Sequence, residues 1–426
     1  MFLWTACGSL ALELKWSLAE LNSFREEFEH KKRRFKKLLE NESFVYNNLL
    51  EDNPSNNAVD QVVDPWNVQG AIVDGKLQEI DYNKLIDQFG TRKIDKVLLE
   101  RFETLTGRKP HRFLRRGVFF SHRDLNSILD RYEKGKPFFL YTGRGPSSDS
   151  MHIGHMVPFI FCKWLQEVFN VPLVVQLTDD EKFLFKQGLK VEDSYKFGRD
   201  NGKDIMAFGF DPEKTFIFSN LDYVGDNIGK LHFVAIQASP SFSNSFPAIF
   251  GEKNKGDIPC LIPCAIDQDP YFRLTREVAA KLKYPKPSLV HNIFFPALQG
   301  PGTKMSASIA NSAIFLQDTP AQIKNKIKKS FSGGGDSQEN HEKFGGNIEV
   351  DVPYQYLKFF LEDDEELERI GAEYTAGTLS TSAIKARCSE VISAIVKEVQ
   401  DNRKRLTPEI VEKFLTPYPF EYKKDE

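Results

Sequence analysis

Two short stretches of this 426-residue chain combine residue types that handle phosphate. The first, His152-Ile153-Gly154-His155, closes a loop running Thr142-Gly143-Arg144-Gly145-Pro146-Ser147-Ser148-Asp149-Ser150-Met151 between a β-prone run ending at Tyr141 and a helical one. Glycines there let backbone approach a flat base, the new helix offers free N–H groups and a positive dipole end, and two imidazoles can donate to phosphate oxygens. Arg144 adds a permanent charge. The second, Gly300-Pro301-Gly302-Thr303-Lys304-Met305-Ser306-Ala307-Ser308, reads as a flexible small-residue loop carrying one lysine. Such a loop can close over phosphates and neutralise charge as pyrophosphate leaves. No glycine-rich loop ending in Gly-Lys-Ser or Gly-Lys-Thr occurs, so an ATP site here is not of the P-loop kind.

Elements able to position these motifs follow from the patterning. Beyond Pro137, short apolar runs at 138–142, 171–177, 215–219, 259–263 and 289–295 alternate with helical stretches. That alternation predicts right-handed crossovers and a parallel, doubly wound α/β sheet, with ligands held where strands end and helices begin. Residues 1–60 read as a helical N-terminal extension, with a basic run at Lys31-Lys32-Arg33-Arg34-Phe35-Lys36-Lys37, then a polar linker. Residues 61–136 read as a module with a hairpin at Asp74-Gly75 and amphipathic helices, one from Ser121 to Tyr132 capped by Ser121. The sheet domain spans 137–316. In 317–426 the strands stop, Thr319-Pro320 caps and opens a basic helix with Lys324, Lys326, Lys328 and Lys329, and an all-α domain begins. Ile384, Cys388, Val391, Ile392, Ile395, Val396 and Val399 form the buried stripe of its last long helix. Ser332-Gly333-Gly334-Gly335 is expected to be a flexible turn.

Composition bounds the rest. With 41% apolar and 27% charged residues, the chain has the balance of a soluble globular protein. A net charge of −3 gives no global pull on polyanions, so any nucleic-acid contact must come from local basic patches. Five cysteines, an odd number in apolar surroundings, fit a reducing, cytoplasmic setting. Cys260 and Cys264 lack a second Cys/His pair and read as buried strand-end thiols, so no metal site is expected. Met1 to Leu14 is apolar but has no basic flank and is too short to span a bilayer, so no targeting or membrane segment is read.

The two motifs resemble the signature pair of class I aminoacyl-tRNA synthetases, the second in the variant form Lys-Met-Ser-Ala-Ser. Longer segments, Tyr141 to Gly145, Leu177 to Lys182, Pro240 to Pro247, Ala265 to Phe272 and Phe295 to Gly300, are similar to the eukaryotic cytoplasmic tryptophanyl branch. The resemblance covers about residues 61 to 420. It implies a Rossmann-like catalytic domain, a helical anticodon-binding domain and a homodimer. The implied reaction activates L-tryptophan with ATP and Mg²⁺ and transfers it to the 3′-terminal adenosine of tRNA(Trp).

Carried over residue by residue, the resemblance implies that Tyr141 and Gln176 hold the indole N–H, that Glu181, Gln237 and Gln268 hold the amino acid's charged end, and that Asp267 orders the site. His152, His155, Lys304 and Ser306 are implied as catalytic, and Arg144, Gly145, Gly154, Lys182, Gly300 and Met305 as ATP-binding. These types suit the task, since a lone indole donor needs an acceptor inside an apolar slot, and a carboxylate pairs with an ammonium. A tyrosyl-tRNA synthetase is the alternative, sharing fold and motifs but needing an acceptor for a phenol. One departure stands out: between Gly225 and Asp226 the family carries some tens more residues, read as omitted from the sequence rather than dispensed with.

Overall fold

Leu173-Val174-Val175-Gln176-Leu177 is buried at every position, the pattern of a strand covered on both faces. It is one of seven strands in a central sheet: β1 (Arg92–Lys93), β2 (Phe119–Arg123), β3 (Phe139–Arg144), β4 (Leu173–Leu177), β5 (Thr215–Ser219), β6 (Cys260–Ala265) and β7 (Ser288–Asn292). Their spatial order is β1-β2-β7-β6-β3-β4-β5. The computed structural model describes residues 60–420 apart from 65–67, 74–75, 186–188, 224–234, 305–312 and 336, with backbone only at 76, 183–185, 223 and 301–304. The N-terminal extension with its Lys31 to Lys37 run, Cys7 and the segment around Gly225 lie outside the described residues.

Strands β3 to β7 are mutually parallel, and the chain winds outward from β3 to β5 and then from β6 to β7. The order reverses between β3 and β6, which is where such sheets open a crevice for ligands. The five strands expected from the apolar runs are therefore all present. Period-two alternation sorts their side chains: Leu140, Leu173, Val175 and Leu177 join one core, while Phe139, Tyr141, Val174, Phe216 and Ile262 join the other. The first core runs on into the C-terminal helices through Tyr356, Ile384, Cys388, Ile392 and Val396. Cys260 and Cys264 are both buried within β6.

The expected helix start at Ser121 fails. Ser121 does not cap a helix. It lies in β2, antiparallel to β7, with Phe119, Phe120, Ser121 and His122 all buried. The Val118-Phe119-Phe120 run is β-prone, and an open sheet edge beside β7 outweighs a helix pattern that is good only from Leu125 onward. The helix spans Leu125–Glu133, preceded by Asp124 at φ 55°. At the outer edge the exposed Arg92-Lys93 strand discourages further pairing. Short strands Ile72–Val73 and Lys76–Leu77 flank Asp74-Gly75, as the hairpin reading expects.

The C-terminal helices are Pro320–Lys328, Gln338–Phe344, Val352–Phe360, Asp364–Thr375, Thr381–Lys404 and Pro408–Leu415. Thr319 caps the first in a reciprocal box with Gln322, Pro320 opening it, as read from sequence. The Ser332 to Gly335 turn is not loose. An ideal Cβ on Gly333 would sit 2.0 Å from the Asn347 carbonyl, and one on Gly334 2.4 Å from Thr381 Oγ1. The Gly333 N–H donates to Asp351 Oδ2 at 2.9 Å. Glycine is needed there for close approach rather than for mobility.

Arg112, Arg115 and Arg116 bind these helices to the sheet. Arg112 Nε donates to the Phe359 carbonyl at 3.1 Å, Arg116 Nη1 donates to the Lys358 and Leu361 carbonyls, and Arg115 and Arg116 both pair with Asp364. Cations at the carboxyl end of Val352–Phe360 also complement its dipole.

Acid should loosen this architecture. Burial and the neighbouring arginines hold His111 down at about 3, and burial holds His122 at about 4. Each takes up a proton near 6.5 only when unfolded, so the stability it contributes is complete above 6.5 and lost as pH falls toward its folded value. Asp179, raised by burial to about 6, acts oppositely: its contribution grows as pH falls from 6 to 3.8 and offsets one histidine. The expected net loss is about 1.4 kcal/mol per pH unit between pH 6 and 4. Urea midpoints at pH 7, 5.5 and 4.5 measure it, and a flat profile contradicts it.

Candidate active site

Residues drawn from the ends of β3, β4 and β6 line the crevice at the sheet's switch point. Tyr141 and Gln176 project on one face of neighbouring strands, and Gly143, directly opposite Gln176, adds no side chain above them. Tyr141, 2% exposed, sends its hydroxyl to Gln176 Oε1 at 2.6 Å, with the Gln237 carbonyl 2.9 Å away as a second acceptor. Gln176 Nε2 donates to Asn220 Oδ1 at 3.0 Å and to the Ile236 carbonyl at 3.3 Å. Asn220 Nδ2 in turn donates to Asp180 Oδ1 at 2.7 Å. Gln237 Nε2 reaches Gln268 Oε1 at 3.3 Å, while Gln237 Oε1 is buried without a partner.

An acidic patch adjoins this slot. Burial, together with the charges of Glu181, Asp267 and Asp64, pushes the Tyr271 phenol up to about 12. Three carboxylates whose fields converge on one phenol suit an ammonium group. Asp267 is 5% exposed. Behind it, Asp269 opens the helix α4 (Asp269–Leu282) and takes both Nε and Nη2 of Arg123, at 2.6 and 2.8 Å. His291 Nε2 lies 3.1 Å from Asp269 Oδ1, and Ser121 Oγ pairs with His291 Nδ1 at 3.1 Å. Arg123 and its partners hold Asp269 down at about 2 against the pull of burial.

The first phosphate motif follows β3. His152 precedes a short 3-10 turn, Ile153–His155, that leads into the helix α1 (Met156–Phe169). The two imidazoles stack at 3.5 Å with 19° between planes. His155 Nδ1 accepts from the His152 backbone N–H at 3.3 Å, so in the neutral ring the proton sits on Nε2. An ideal Cβ on Gly154 would meet the His152 ring and Phe295 at 3.2 Å. On Gly145 it would meet Lys182 Cε at 2.5 Å, so glycine there lets Lys182 cross the loop. Lys182 pairs with Glu181 at 2.8 Å.

Arg144 Nε donates to Asn201 Oδ1 at 3.1 Å, and its buried Nη2 has no partner. Burial pushes this guanidinium down to about 10, the Glu181 charge opposing the shift. It remains a cation at neutral pH.

The second motif begins in a ribbon: Gly300–Lys304 pairs antiparallel with Pro296–Ala297. Its first residues are thus a strand rather than a loop, while Met305 and Ser306 lie outside the described residues. Gly300 has φ +121° and packs against Phe331, a backbone only glycine adopts readily. Where the chain resumes, Ile153 N–H donates to the Ile314 carbonyl and Leu316 N–H to the Met151 carbonyl, both at 2.9 Å. His152 and Phe315 form an antiparallel bridge. Chain flanking the two motifs is therefore in direct contact across about 160 residues of sequence. Sequence alone assigns no role to Asp64, Asp180, Asn201, Asn220 or Tyr271. Asp180 and Tyr271 lie inside the family-like segments Leu177 to Lys182 and Ala265 to Phe272, whereas Asp64, Asn201 and Asn220 carry no local signal.

Among the described residues no three His, Cys, Asp or Glu side chains converge as a metal cage. No described helix is long and apolar enough to cross a membrane.

Comparison with known proteins bears on this crevice. Residues 256–397 match the family model "tRNA synthetases class I (W and Y)". The chain is 58% identical over 385 residues to a cytoplasmic tryptophan–tRNA ligase of Schizosaccharomyces pombe, covering 84% of this chain and 97% of the relative. It is 55% identical over 391 residues to that of Homo sapiens, covering 84% and 82%. Among solved structures, the tryptophanyl-tRNA synthetase of Plasmodium falciparum superposes with a TM-score of 0.73 at 46% identity, covering 79% of this chain and 95% of that one. That of Giardia lamblia gives 0.72 at 41%, covering 78% and 95%.

Proposed function

Because the chain belongs to the tryptophan–tRNA ligase family of class I tRNA synthetases, we propose that the crevice between β3 and β6 activates L-tryptophan with ATP and loads it onto tRNA(Trp). The enzyme is an aminoacyl-tRNA synthetase and ATP is its second substrate. Like its relatives it acts in the cytoplasm. The observation that carries the reading is that two buried polar atoms of the residues assigned to ligand, Arg144 Nη2 and Gln237 Oε1, have no protein partner. Such atoms cost free energy until a ligand satisfies them.

In this reading Tyr141 and Gln176 accept the indole N–H, Glu181 takes the ammonium once Lys182 swings away from it, and Gln237 and Gln268 help hold the amino acid's charged end, Gln237 Oε1 as a further acceptor for the ammonium. Asp267 orders them. The tryptophan carboxylate attacks the α-phosphate in line, pyrophosphate leaves, and a terminal ribose hydroxyl of the tRNA then takes the acyl group. Arg144, Lys182, His152, His155, Lys304 and Ser306 stabilise the phosphate charge, with Gly145, Gly154, Gly300 and Met305 admitting the nucleotide, so catalysis is positioning plus electrostatics. With no protein cage for it among the described residues, Mg²⁺ would arrive on the triphosphate, held by phosphate oxygens and water. Residues 317–426 would read the anticodon, and two chains would form the working dimer.

ATP–pyrophosphate exchange tests the reading. L-tryptophan should support it at least about 10⁴-fold better than L-tyrosine, because a slot built around one donor rejects a ligand that cannot complete the bond. Aminoacylation of bulk tRNA should show the same preference. Comparable exchange with tyrosine would favour the tyrosyl alternative.

A further inference from the structure

An amide can face either way, and the slot between Tyr141 and Gln176 selects an indole only if Gln176 turns its oxygen, not its NH₂, toward the ligand. We propose that Asp180 and Asn220 are the positioning residues that set this polarity, an inference resting on the tryptophan pocket assigned above. Ionised, the Asp180 carboxylate can only accept. Its Oδ1 lies 2.7 Å from Asn220 Nδ2, which turns Asn220 Oδ1 toward Gln176 Nε2 at 3.0 Å. The Ile236 carbonyl, a second obligatory acceptor, meets the same Nε2 at 3.3 Å. Gln176 Oε1 is thereby left facing the Tyr141 hydroxyl at 2.6 Å. Because that hydroxyl has spent its proton on Oε1 or on the Gln237 carbonyl, its lone pairs also face the slot. Every polar atom on this wall is then an acceptor, and the one ligand group that fits is a donor.

Tyr141, Gln176 and Asn220 are at most 2% exposed and Asp180 6%, so water cannot scramble the chain of bonds. Neither Asp180 nor Asn220 need touch the amino acid. Reversing the first link should reverse the last.

The experiment compares L-tryptophan with β-(3-benzothienyl)-L-alanine, which has sulfur in place of the indole N–H, as substrates for ATP–pyrophosphate exchange. The readout is the ratio of their kcat/KM values. In Asp180→Asn the new amide can donate to Asn220, flip it, and turn the Gln176 NH₂ into the slot. The ratio should fall at least about tenfold, through KM for tryptophan, while KM for ATP stays within about twofold. The double variant Asp180→Asn with Asn220→Asp restores an obligatory acceptor for Gln176 Nε2, keeps the net charge, and should recover the ratio.

An unchanged ratio in Asp180→Asn, or a folded double variant that stays defective, overturns the proposal. Should Asp180→Asn fail to fold, Asn220→Ala takes its place, with a several-fold fall expected and no change overturning. Gln176→Met separates the levels. If it too leaves the ratio unchanged, the pocket assignment fails; if it lowers the ratio while Asp180→Asn does not, only the relay fails.

Discussion

Replacing Arg144 by glutamine is expected to lower kcat/KM for ATP in the exchange reaction by about 10²–10³, the usual cost of one preorganised electrostatic donor. Arg144 is held in place but not neutralised. Its Nε is fixed on Asn201 Oδ1, and Asn201 also donates Nδ2 to the Ser148 carbonyl at 2.8 Å, bracing the loop ahead of His152. Asn201 stands on the helix α3 (Val191–Met206), which Arg403 of the C-terminal helices holds from outside through Asp200 and Asp204. What remains is a buried Nη2 with no partner, on a guanidinium whose charge burial disfavours. A part-buried cation with a buried donor left unpaired is costly in the free protein and gains most when a phosphate arrives.

The same argument gives a second sign. Because burial of the guanidinium outweighs the Glu181 charge that favours it, Arg144→Gln should leave the melting temperature unchanged or raise it, a trade of stability for function. Tryptophan affinity by equilibrium titration should stay within about threefold, since the guanidinium lies on the phosphate side. Unaltered ATP kinetics would remove Arg144 from the nucleotide site.

The second large effect concerns folding. Asp269→Asn should destabilise the protein by about 3–5 kcal/mol, because removing one partner of a buried pair strands the other charge. Arg123 would lose a two-point bond, keeping only the Phe89 and Gly90 carbonyls, and His291 would lose the carboxylate charge 3.1 Å from its Nε2. Asp269 is held at about 2, so the contribution it makes is complete above the ordinary carboxylate value of 3.8 and lost only as pH falls through about 2. The difference between wild type and variant should therefore be constant from pH 7 to 5. Urea denaturation at both pH values measures it. A loss under about 1 kcal/mol, or one that vanishes by pH 5, contradicts the assignment. Since Asp269 directly follows Gln268, KM for tryptophan should rise in the variant as well.

Much of the scaffold was legible because its determinants are local. A strand buried on both faces must be largely apolar, as Val171 to Leu177 is apart from Gln176; a helix start needs a cap, as Thr319 provides; and both phosphate motifs sit on continuous chain. Local cues misled where a partner from afar decided. Ser121 reads as a cap until β7, 170 residues on, pairs with its strand. Three consecutive glycines read as slack until the Asn347 carbonyl and Thr381 crowd them.

Residue types and order along the chain determined the kind of sheet, the placement of the phosphate motifs at strand ends and, through resemblance, the reaction. Tertiary structure alone decided which groups are partners: Tyr141 with Gln176 across 35 residues, Asn220 with Asp180 across 40, Arg123 with Asp269 across 146, and Arg112 with Phe359 across 247. Hydrogen bonds and ion pairs act over a few ångströms, and only the folded path brings residues that far apart in sequence within that range. For that reason the signature His152-Ile153-Gly154-His155 could be read from the chain, whereas the direction in which Gln176 points, and the unpaired donor on Arg144, could not.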